Sequence, residues 1–302
     1  MSNPPLRLRA LLVLAAAILL PGCRATLGTA EREAKSVLQN FRHVAGNIFS
    51  GGEPSEETAF KALRRLGIRT IVSVDGARPD ADVARRHGMR YIHIPIGYEG
   101  INEHARLSLA SLMHERVGPI YFHCHHGKHR APAAAALACR AGGLMDCKAA
   151  TTYMHRAGAS EDYAGLWRDV REFTAPVKDT PLTQLVETAE VENLTAAMAE
   201  IDRAWDRLIL CRDSNWKPPT QHPDITPAQE TLLLEEGFRE SARHLRSASP
   251  VALEEELQTA ERIARQLRAA LLRHDVATAE NNFSRLRKSC RSCHTRHRNQ
   301  AE

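Results

Sequence analysis

The chain has 302 residues, of which 43% are hydrophobic and 25% charged, which is typical of folded globular proteins and enough for two domains of ordinary size. This composition argues against a disordered chain and against a protein with many membrane spans. The formal net charge is only +5, and no dense run of Lys and Arg alternates with aromatic residues, so nucleic-acid binding is not expected.

The first 22 residues have the pattern of an export signal. Two arginines precede an apolar stretch from Ala10 to Leu20, which is short for a permanent membrane span. The stretch ends in Leu-Pro-Gly-Cys23, which resembles the bacterial lipobox, where a small residue precedes a lipid-modified cysteine. The resemblance implies a lipoprotein signal over residues 1–23 and a membrane anchor at Cys23, on the periplasmic side of the bacterial cell envelope. A plain secretory signal and a soluble periplasmic or secreted protein are the alternative.

Residues 24–38 are predicted to form a short tether, and residues 39–178 an α/β domain with a mostly parallel sheet, because strand-like and helix-like segments alternate there. In chain order we predict a turn over 51–54, a helix over 55–66 capped by Ser55, a strand over 68–74, a helix over 82–87, a strand over 91–96, a helix over 104–116, a strand over 120–122 and a helix over 130–140.

Residues 179–302 are predicted to form an all-α four-helix bundle. Strand signals end at the proline-containing segment 174–180, and apolar residues then recur at steps of three and four. Four such amphipathic segments follow, over about 191–208, 226–246, 253–271 and 276–293. Short connections between amphipathic helices favour a bundle.

Cys124 and Arg130 enclose five residues between a predicted strand and a predicted helix. In such a loop the backbone N–H groups converge and the helix N-terminus adds positive potential, so a phosphate dianion fits. The planar guanidinium of Arg130 would hold two phosphate oxygens. The same field favours the thiolate of Cys124, which is the nucleophilic form. The loop is therefore predicted to bind phosphate.

The loop is unusually basic, and its predicted phosphate-binding residues are His125, His126, Gly127, Lys128, His129 and Arg130. Crowded cations favour a substrate with more than one phosphate, such as a phosphoinositide or an inositol phosphate. Two alternatives stay open: the side chains point to solvent, or they form a His-rich metal site. The metal site is less favoured, because adjacent residues in a tight loop seldom converge on one ion.

His123-Cys124, five residues and then Arg130 resemble the signature of the protein tyrosine and dual-specificity phosphatases. The resemblance covers roughly residues 40–175 and includes the Gly-Gly-Glu-Pro turn and the segment Ile-Pro-Ile-Gly-Tyr-Glu-Gly. It implies that Cys124 attacks phosphorus, that Arg130 binds the phosphoryl group, and that Glu99 protonates the leaving oxygen.

Two positions differ from that family pattern. Glu99 stands where the family usually has aspartate, and Ala131 follows the arginine where a Ser or Thr usually assists breakdown of the phosphocysteine. The second difference favours fast phosphorylation and slow hydrolysis. A silent phosphate-binding domain and sulfur chemistry at Cys124 stay open as alternatives. Asp75, at a predicted strand end, is interpreted as a turn or cap residue and not as the catalytic acid.

Cys290-Arg-Ser-Cys293-His294 is the attachment motif of c-type haem, with two thiols spaced for thioether bonds and a histidine that reaches the iron. A zinc or redox pair is the alternative, but no second Cys pair closes a zinc site. A four-helix bundle with this motif near its end resembles the cytochrome c-prime and c-556 family. The resemblance implies one covalent haem c, with His294 as proximal ligand and Met198 as candidate distal ligand; core packing is the alternative for Met198.

The combined prediction is an exported cysteine-dependent phosphatase, acting on phosphorylated proteins or phosphoinositides, linked to a haem domain for redox or gas sensing. The alternative is a catalytically silent phosphate-binding domain on an electron-transfer or gas-binding cytochrome. A redox partner and a homodimer are expected from the cytochrome resemblance. For Cys139 and Cys147, a disulfide and free thiols both stay open.

Overall fold

The computed structural model of the protein describes residues 22–115, 118–176, 180–181, 183–191, 193–243, 245 and 251–298. The predicted signal at residues 1–21 lies outside the described residues. Cys23 lies in the first turn of a helix, and its side chain is also outside the described part. Among the described residues, no helix has both the length and the apolar character that a membrane crossing requires.

A five-stranded sheet with helices on both faces forms the N-terminal domain. Its elements are α1 (Gly22–Val37), β1 (Arg42–Ala45), β2 (Ile48–Gly51), α2 (Glu57–Arg65), β3 (Thr70–Ser73), α3 (Ala81–Arg86), β4 (Arg90–His93), α4 (Glu103–Glu115), β5 (Ile120–His123), α5 (Arg130–Ala141), α6 (Cys147–Ala157) and α7 (Ala164–Glu172). The strand order is β1-β2-β5-β3-β4, with β1 antiparallel to β2 and the other pairs parallel. The predicted mostly parallel α/β sheet is confirmed.

Alternate residues of the strands form separate cores on the two faces of the sheet, because successive side chains of a strand point to opposite sides. Val72 and Phe122 pack with α4, α5, α6 and α7, whereas Ile71 and Tyr121 pack with α1, α2 and α3. Helix α5 is rich in alanine and buried along most of its length. It starts seven positions after the end of β5, at the carboxyl edge of the sheet, and this arrangement places the loop between them there.

Two predictions for this domain are wrong. The segment 24–38 is not a tether but contains most of α1, because Ala30, Ala34 and Leu38 recur at every fourth position and are buried in one core with residues of α2 and the sheet. Ser55 does not cap the next helix: α2 begins at Glu57, and its N-cap is Glu56, without a side-chain cap hydrogen bond.

Four helices occupy the described part of the C-terminal region: α8 (Asn193–Asp213), α9 (Pro227–Arg243), α10 (Val251–Leu272) and α11 (Val276–His297). Their apolar faces meet in one core, in which Leu208, Leu234 and Leu267 are fully buried. The predicted helical bundle is present, while a haem fold stays a prediction. Helix α8 also packs on the N-terminal domain, where Thr195 lies against Gly76.

Candidate active site

The loop from Cys124 to Arg130 joins β5 to α5 and packs on the turn that follows β2. The backbone carbonyl of His125 accepts a hydrogen bond from the backbone N–H of Glu53 at 3.0 Å. Both signature side chains are buried: Cys124 is 3% exposed and Arg130 6%. The structure therefore brings the predicted nucleophile and the predicted phosphate-binding guanidinium together on one anchored loop.

Gly127 is the closest point of contact between this loop and the turn after β2. Its φ of +68° lies in the left-handed region, and its Cα faces the backbone of Gly51 and Gly52. A Cβ at this position would overlap that backbone, so no other residue fits without moving the loop.

We expect Gly127→Ala to lower the free energy of unfolding by about 3 kcal/mol, since it adds overpacking to left-handed strain. The matched control is Gly143→Ala, because Gly143 has the same φ of +68° but open space around its Cα. Urea unfolding of both variants checks the prediction. Equal losses in the two variants would show that contact between the loop and the turn contributes nothing.

Asp75 is the residue that holds Arg130, and the sequence did not indicate this role. Its Oδ2 accepts hydrogen bonds from Arg130 Nη2 at 2.7 Å and from the backbone N–H of His125 at 2.9 Å. Burial alone would raise the pKa of Asp75, but the guanidinium groups of Arg130 and Arg203 hold it well below its usual range. The predicted turn role is also present, since Oδ1 accepts from the N–H of Ala77 at 3.0 Å. Asp75 is thus a buried counter-ion of the site as well as a turn residue.

Arg130 keeps one donor available for an anion. Its Nε is buried without a hydrogen-bond partner in the described part of the chain, while Nη2 is held by Asp75. The guanidinium lies over the ring of Tyr98, 4.6 Å from the ring centroid. Because a buried unpaired N–H is costly, a phosphoryl oxygen beside Cys124 would satisfy this donor.

The predicted acid, Glu99, lies on the loop between β4 and α4 with its side chain exposed and folded over Gly97. Its neighbour Tyr98 is the residue of this loop that faces Arg130. A hydrogen bond anchors the loop to α7, because the N–H of Ile101 donates to the buried carboxylate of Asp169 at 2.6 Å. The role of Glu99 as acid stays a prediction.

His125 and His126 lie beside acidic residues of helix α8 in the bundle. His125 Nδ1 lies 3.3 Å from Glu53 Oε2, and His125 Nε2 lies 3.1 Å from Asp206 Oδ2 on α8. His126 lies 3.6 Å from both Asp202 and Asp206. These ion pairs with α8 disfavour further phosphate contacts at the two side chains, and phosphate binding by His125 and His126 stays a prediction.

The other two basic residues of the loop differ from each other. His129 Nδ1 accepts a hydrogen bond from the N–H of Ser160 at 3.1 Å. Burial, together with the charge of Lys128, lowers the pKa of His129 to about 4, so its ring is neutral. Lys128 is exposed, and phosphate binding by its side chain stays a prediction.

The donor atoms of His125, His126 and Asp206 lie within 4.8 Å of one another, close enough for a metal ion. Burial favours the neutral form of His125, but hydrogen bonds to Asp206 and Glu53 outweigh it and raise the pKa to about 9. An imidazolium has no free lone pair for a metal. Without a metal, the protonated ring of His125 pairs with Asp206 and Glu53, which favours an ion-pair contact between the two domains, and a metal site stays the alternative.

We expect this contact to weaken at alkaline pH. The charged groups that face His125 are Glu53 on the turn after β2 and Asp202, Arg203 and Asp206 on α8. Because the folded pKa is raised from 6.5 to about 9, the stabilisation is fully present below about pH 6.5 and is lost as the pH rises through about 9. Each pKa unit corresponds to about 1.4 kcal/mol, so the rise from 6.5 to about 9 corresponds to a loss on the order of 3–4 kcal/mol.

Unfolding midpoints between pH 6 and 10 check this prediction. His125→Gln should flatten the alkaline decline, whereas His104→Gln, at an exposed histidine of α4, should leave it unchanged. An identical decline in all three proteins would contradict the assignment.

The haem-motif residues lie on α11, where Cys293 lies close to Glu256 of α10. Burial raises the pKa of the Cys290 thiol to about 11, and burial with Glu256 raises that of Cys293 to about 12. Burial and the charge of Arg298 lower the pKa of His294 to about 4, so its ring is neutral, which is the form of imidazole that can bind a metal. Two thiols and a neutral imidazole on one helix are a donor set that fits a c-type haem.

Two further observations concern this end of the bundle. Met198 is half-buried and packs against the bundle core, one turn before Asp202, whose field reaches Cys290 and His294. The sequence missed a second donor group, in which Cys293 lies close to Glu256 and His297, with their donor atoms within 4.8 Å of one another.

Cys139 and Cys147, on α5 and α6 of the α/β domain, are free thiols in the structure.

The chain has a loop with a cysteine and an arginine at the carboxyl edge of a mostly parallel sheet. It is a tyrosine/dual-specificity phosphatase-like hydrolase. Residues 37–137 match the profile of the Tyrosine phosphatase family. The chain is 25% identical over 179 residues to the dual specificity protein phosphatase TpbA of Pseudomonas aeruginosa, covering 59% of this chain and 75% of that protein.

Two solved structures are similar at lower identity. The crystal structure of P. aeruginosa TpbA is 21% identical and covers 45% of this chain and 86% of that one, with a TM-score of 0.38. The catalytic domain of the PP-IP phosphatase SIW14 from S. cerevisiae is 20% identical, with the same coverage and a TM-score of 0.39.

Proposed function

We propose that the chain is a cysteine-dependent phosphatase for phosphorylated side chains of proteins. The thiolate of Cys124 attacks phosphorus, the P–O bond to the leaving group breaks, and water then hydrolyses the phosphocysteine to release phosphate. The observation that carries the proposal is the pair formed by Cys124 and Arg130, in which Asp75 holds one nitrogen of the guanidinium and leaves Nε for the phosphoryl oxygens.

Electrostatics favour a substrate with one phosphate. Asp202 and Asp206 neutralise the two histidines that would otherwise hold further phosphates. Relatedness to a dual specificity protein phosphatase supports a phosphorylated Tyr, Ser or Thr as substrate. Polyphosphorylated inositides are the competing substrate class, which the experiment below includes.

Glu99 is the proposed donor of the proton to the leaving oxygen. Its carboxylate is exposed, so we expect its loop to close over a bound substrate before it acts, as is common for catalytic groups seen without substrate. Ala131 offers no hydroxyl to assist hydrolysis of the intermediate, which favours a burst of product followed by slow turnover.

Phosphate release by the full chain tests the proposal, with a phosphotyrosine peptide, a phosphoserine peptide, an aryl phosphate and a phosphoinositide panel as substrates. We expect release from the phosphopeptides and none from Cys124→Ser. Cys147→Ser, at a half-buried thiol of α6, is the control and should retain activity. No release from any substrate, with phosphate still bound, would leave the silent phosphate-binding domain.

We also propose that Cys290 and Cys293 hold one haem c, with His294 as its proximal ligand and Met198 as a candidate for the other face. Bound haem supplies a redox-active iron for electron transfer or for binding a small gas. The donor set on α11 supports this proposal. Intact mass and the pyridine haemochrome spectrum of the wild type and of Cys290→Ala/Cys293→Ala test it. Equal spectra would contradict covalent attachment.

We further propose export and anchoring through a lipid on Cys23, as the lipobox-like segment suggests. Metabolic labelling with a fatty acid in a bacterial host tests this, with Cys23→Ser as the comparison. Label in the wild type alone is expected, and label in both proteins or in neither would contradict the anchor. Redox partner and homodimer stay predictions.

A further inference from the structure

A chain of alternating charges joins the phosphate loop to the bundle helix α8. In order, its members are Arg130, Asp75, Arg203, Glu53, His125 and Asp206. The distances between the nitrogen and oxygen atoms of successive members are 2.7, 3.4, 2.6, 3.3 and 3.1 Å. Four members belong to the α/β domain, and two belong to α8. The phosphate loop is therefore held by ion pairs that come partly from the second domain.

Arg203 is the central cation of this chain. Its Nη2 donates to Glu53 Oε2 at 2.6 Å, and its Nη1 lies 3.4 Å from Asp75 Oδ1. Its side chain is only 12% exposed, and Asp75 is 1% exposed. Water screens such pairs little, so the position of the guanidinium directly affects both carboxylates.

Each of these carboxylates holds a different part of the phosphate loop. Asp75 orients the guanidinium of Arg130 and accepts from the N–H of His125. Glu53 pairs with the side chain of His125. Burial alone would raise the pKa of Glu53, but the hydrogen bond with His125 and the charge of Arg203 lower it to about 2. Without a cation between them, the buried carboxylate of Asp75 and the partly buried carboxylate of Glu53 repel each other, and each is free to move away from the loop.

Close packing of α8 keeps Arg203 in this place. Thr195 lies against Gly76, where a Cβ would come within 2.9 Å of the threonine side chain. A second contact lies on the other side of the site, where the guanidinium of Arg298, at the end of α11, stacks on Tyr98 at 4.6 Å from the ring centroid. The guanidinium of Arg130 also stacks on the ring of Tyr98. The bundle thus docks at two points beside the loop.

From this geometry we infer that Arg203 is a positioning residue of the phosphatase site, which acts through Asp75 and Glu53 to fix Arg130 and the phosphate loop. The inference rests on the proposed function for its catalytic consequence. The active site is then completed by the helical domain, which supplies the cation between Asp75 and Glu53 of the α/β domain. Arg203 itself does not contact the substrate.

The test compares Arg203→Met and Arg203→Lys with Arg212→Met and Arg212→Lys in the full chain. Arg212 is the matched control because it lies on the same helix but pairs with Glu280 inside the bundle. Three readouts are needed: kcat and KM with the preferred phosphopeptide, affinity for inorganic phosphate by calorimetry, and the unfolding midpoint.

Misplacing a catalytic group by about 1 Å costs about 100-fold in rate, so we expect Arg203→Met to lower kcat by about 10- to 100-fold. KM should change less, because contacts of Arg130 strengthen in the transition state. Phosphate affinity should fall by about tenfold. Arg203→Lys keeps the charge but not the planar fork that spans both carboxylates, so it should restore part of the loss.

Two outcomes would overturn the inference. In the first, Arg203→Met folds and matches Arg212→Met in kcat and phosphate affinity, so that Arg203 only docks the domains. In the second, Arg203→Met does not fold, and the folded Arg203→Lys matches Arg212→Lys in every readout. Absence of turnover in the wild type concerns the proposed function alone, since phosphate affinity still reports on Arg203.

Discussion

Arg130→Lys is expected to lower kcat by about 10²- to 10³-fold, the usual cost of losing one preorganised donor to a developing anion. A lysine offers one point charge and cannot hold Asp75 and the phosphoryl oxygens together, as the guanidinium does through Nη2 and Nε. Steady-state kinetics with a phosphopeptide check this expectation.

The control for this variant lies on the same helix. Arg140, at the end of α5, donates to backbone carbonyls of α7, and Arg140→Lys should leave kcat within about twofold of the wild type. Similar kinetics for Arg130→Lys and Arg140→Lys would show that Arg130 takes no part in the reaction.

Asp75→Asn is expected to reduce both stability and activity. Asp75 is the buried counter-ion of Arg130 and Arg203, and removing one partner of a buried ion pair costs about 3–5 kcal/mol. Arg130 also loses its anchor, so kcat should fall by about tenfold or more. Urea unfolding and kinetics of the folded fraction measure the two effects.

Asp82→Asn is the control for Asp75→Asn, because it removes one partner of an exposed ion pair instead of a buried one. Asp82 is exposed and pairs with Arg85 on α3, so its loss should cost no more than about 0.5 kcal/mol. If Asp75→Asn were as stable as Asp82→Asn, the charge chain would not contribute to the fold.

The parts of the site that the sequence could predict are local. A strand, a loop with a cysteine and an arginine, and a helix follow one another from β5 to α5, so periodicity and spacing place Cys124 and Arg130 together. The helices of the bundle were predictable for the same reason, because each carries its own apolar repeat.

The partners that orient the loop come from distant segments, and no local pattern indicates them. Asp75 ends a different strand and has the appearance of a turn residue. Arg203 and Asp206 lie on α8, where charges beside an apolar stripe are typical of a solvated helix face. Only the packing of α8 onto the carboxyl edge of the sheet shows that these charges are paired across the two domains.

The same packing changes the interpretation of the basic loop. From sequence, the crowded histidines favoured a substrate with several phosphates. In the structure, Asp202 and Asp206 neutralise His125 and His126, and burial keeps His129 neutral. These contacts favour a substrate with a single phosphate, held by Arg130 and the backbone of the loop, which is why phosphoproteins are the proposed substrates.

Trapping of the phosphoenzyme is the measurement that tests the central claim most directly. The full chain is mixed with the preferred phosphopeptide, quenched in acid within the burst, and digested for mass spectrometry. We predict one phosphoryl group on the peptide that contains Cys124, at high occupancy because Ala131 cannot assist hydrolysis. Phosphate release without a phosphoryl group on Cys124, and undiminished in Cys124→Ser, would contradict the claim.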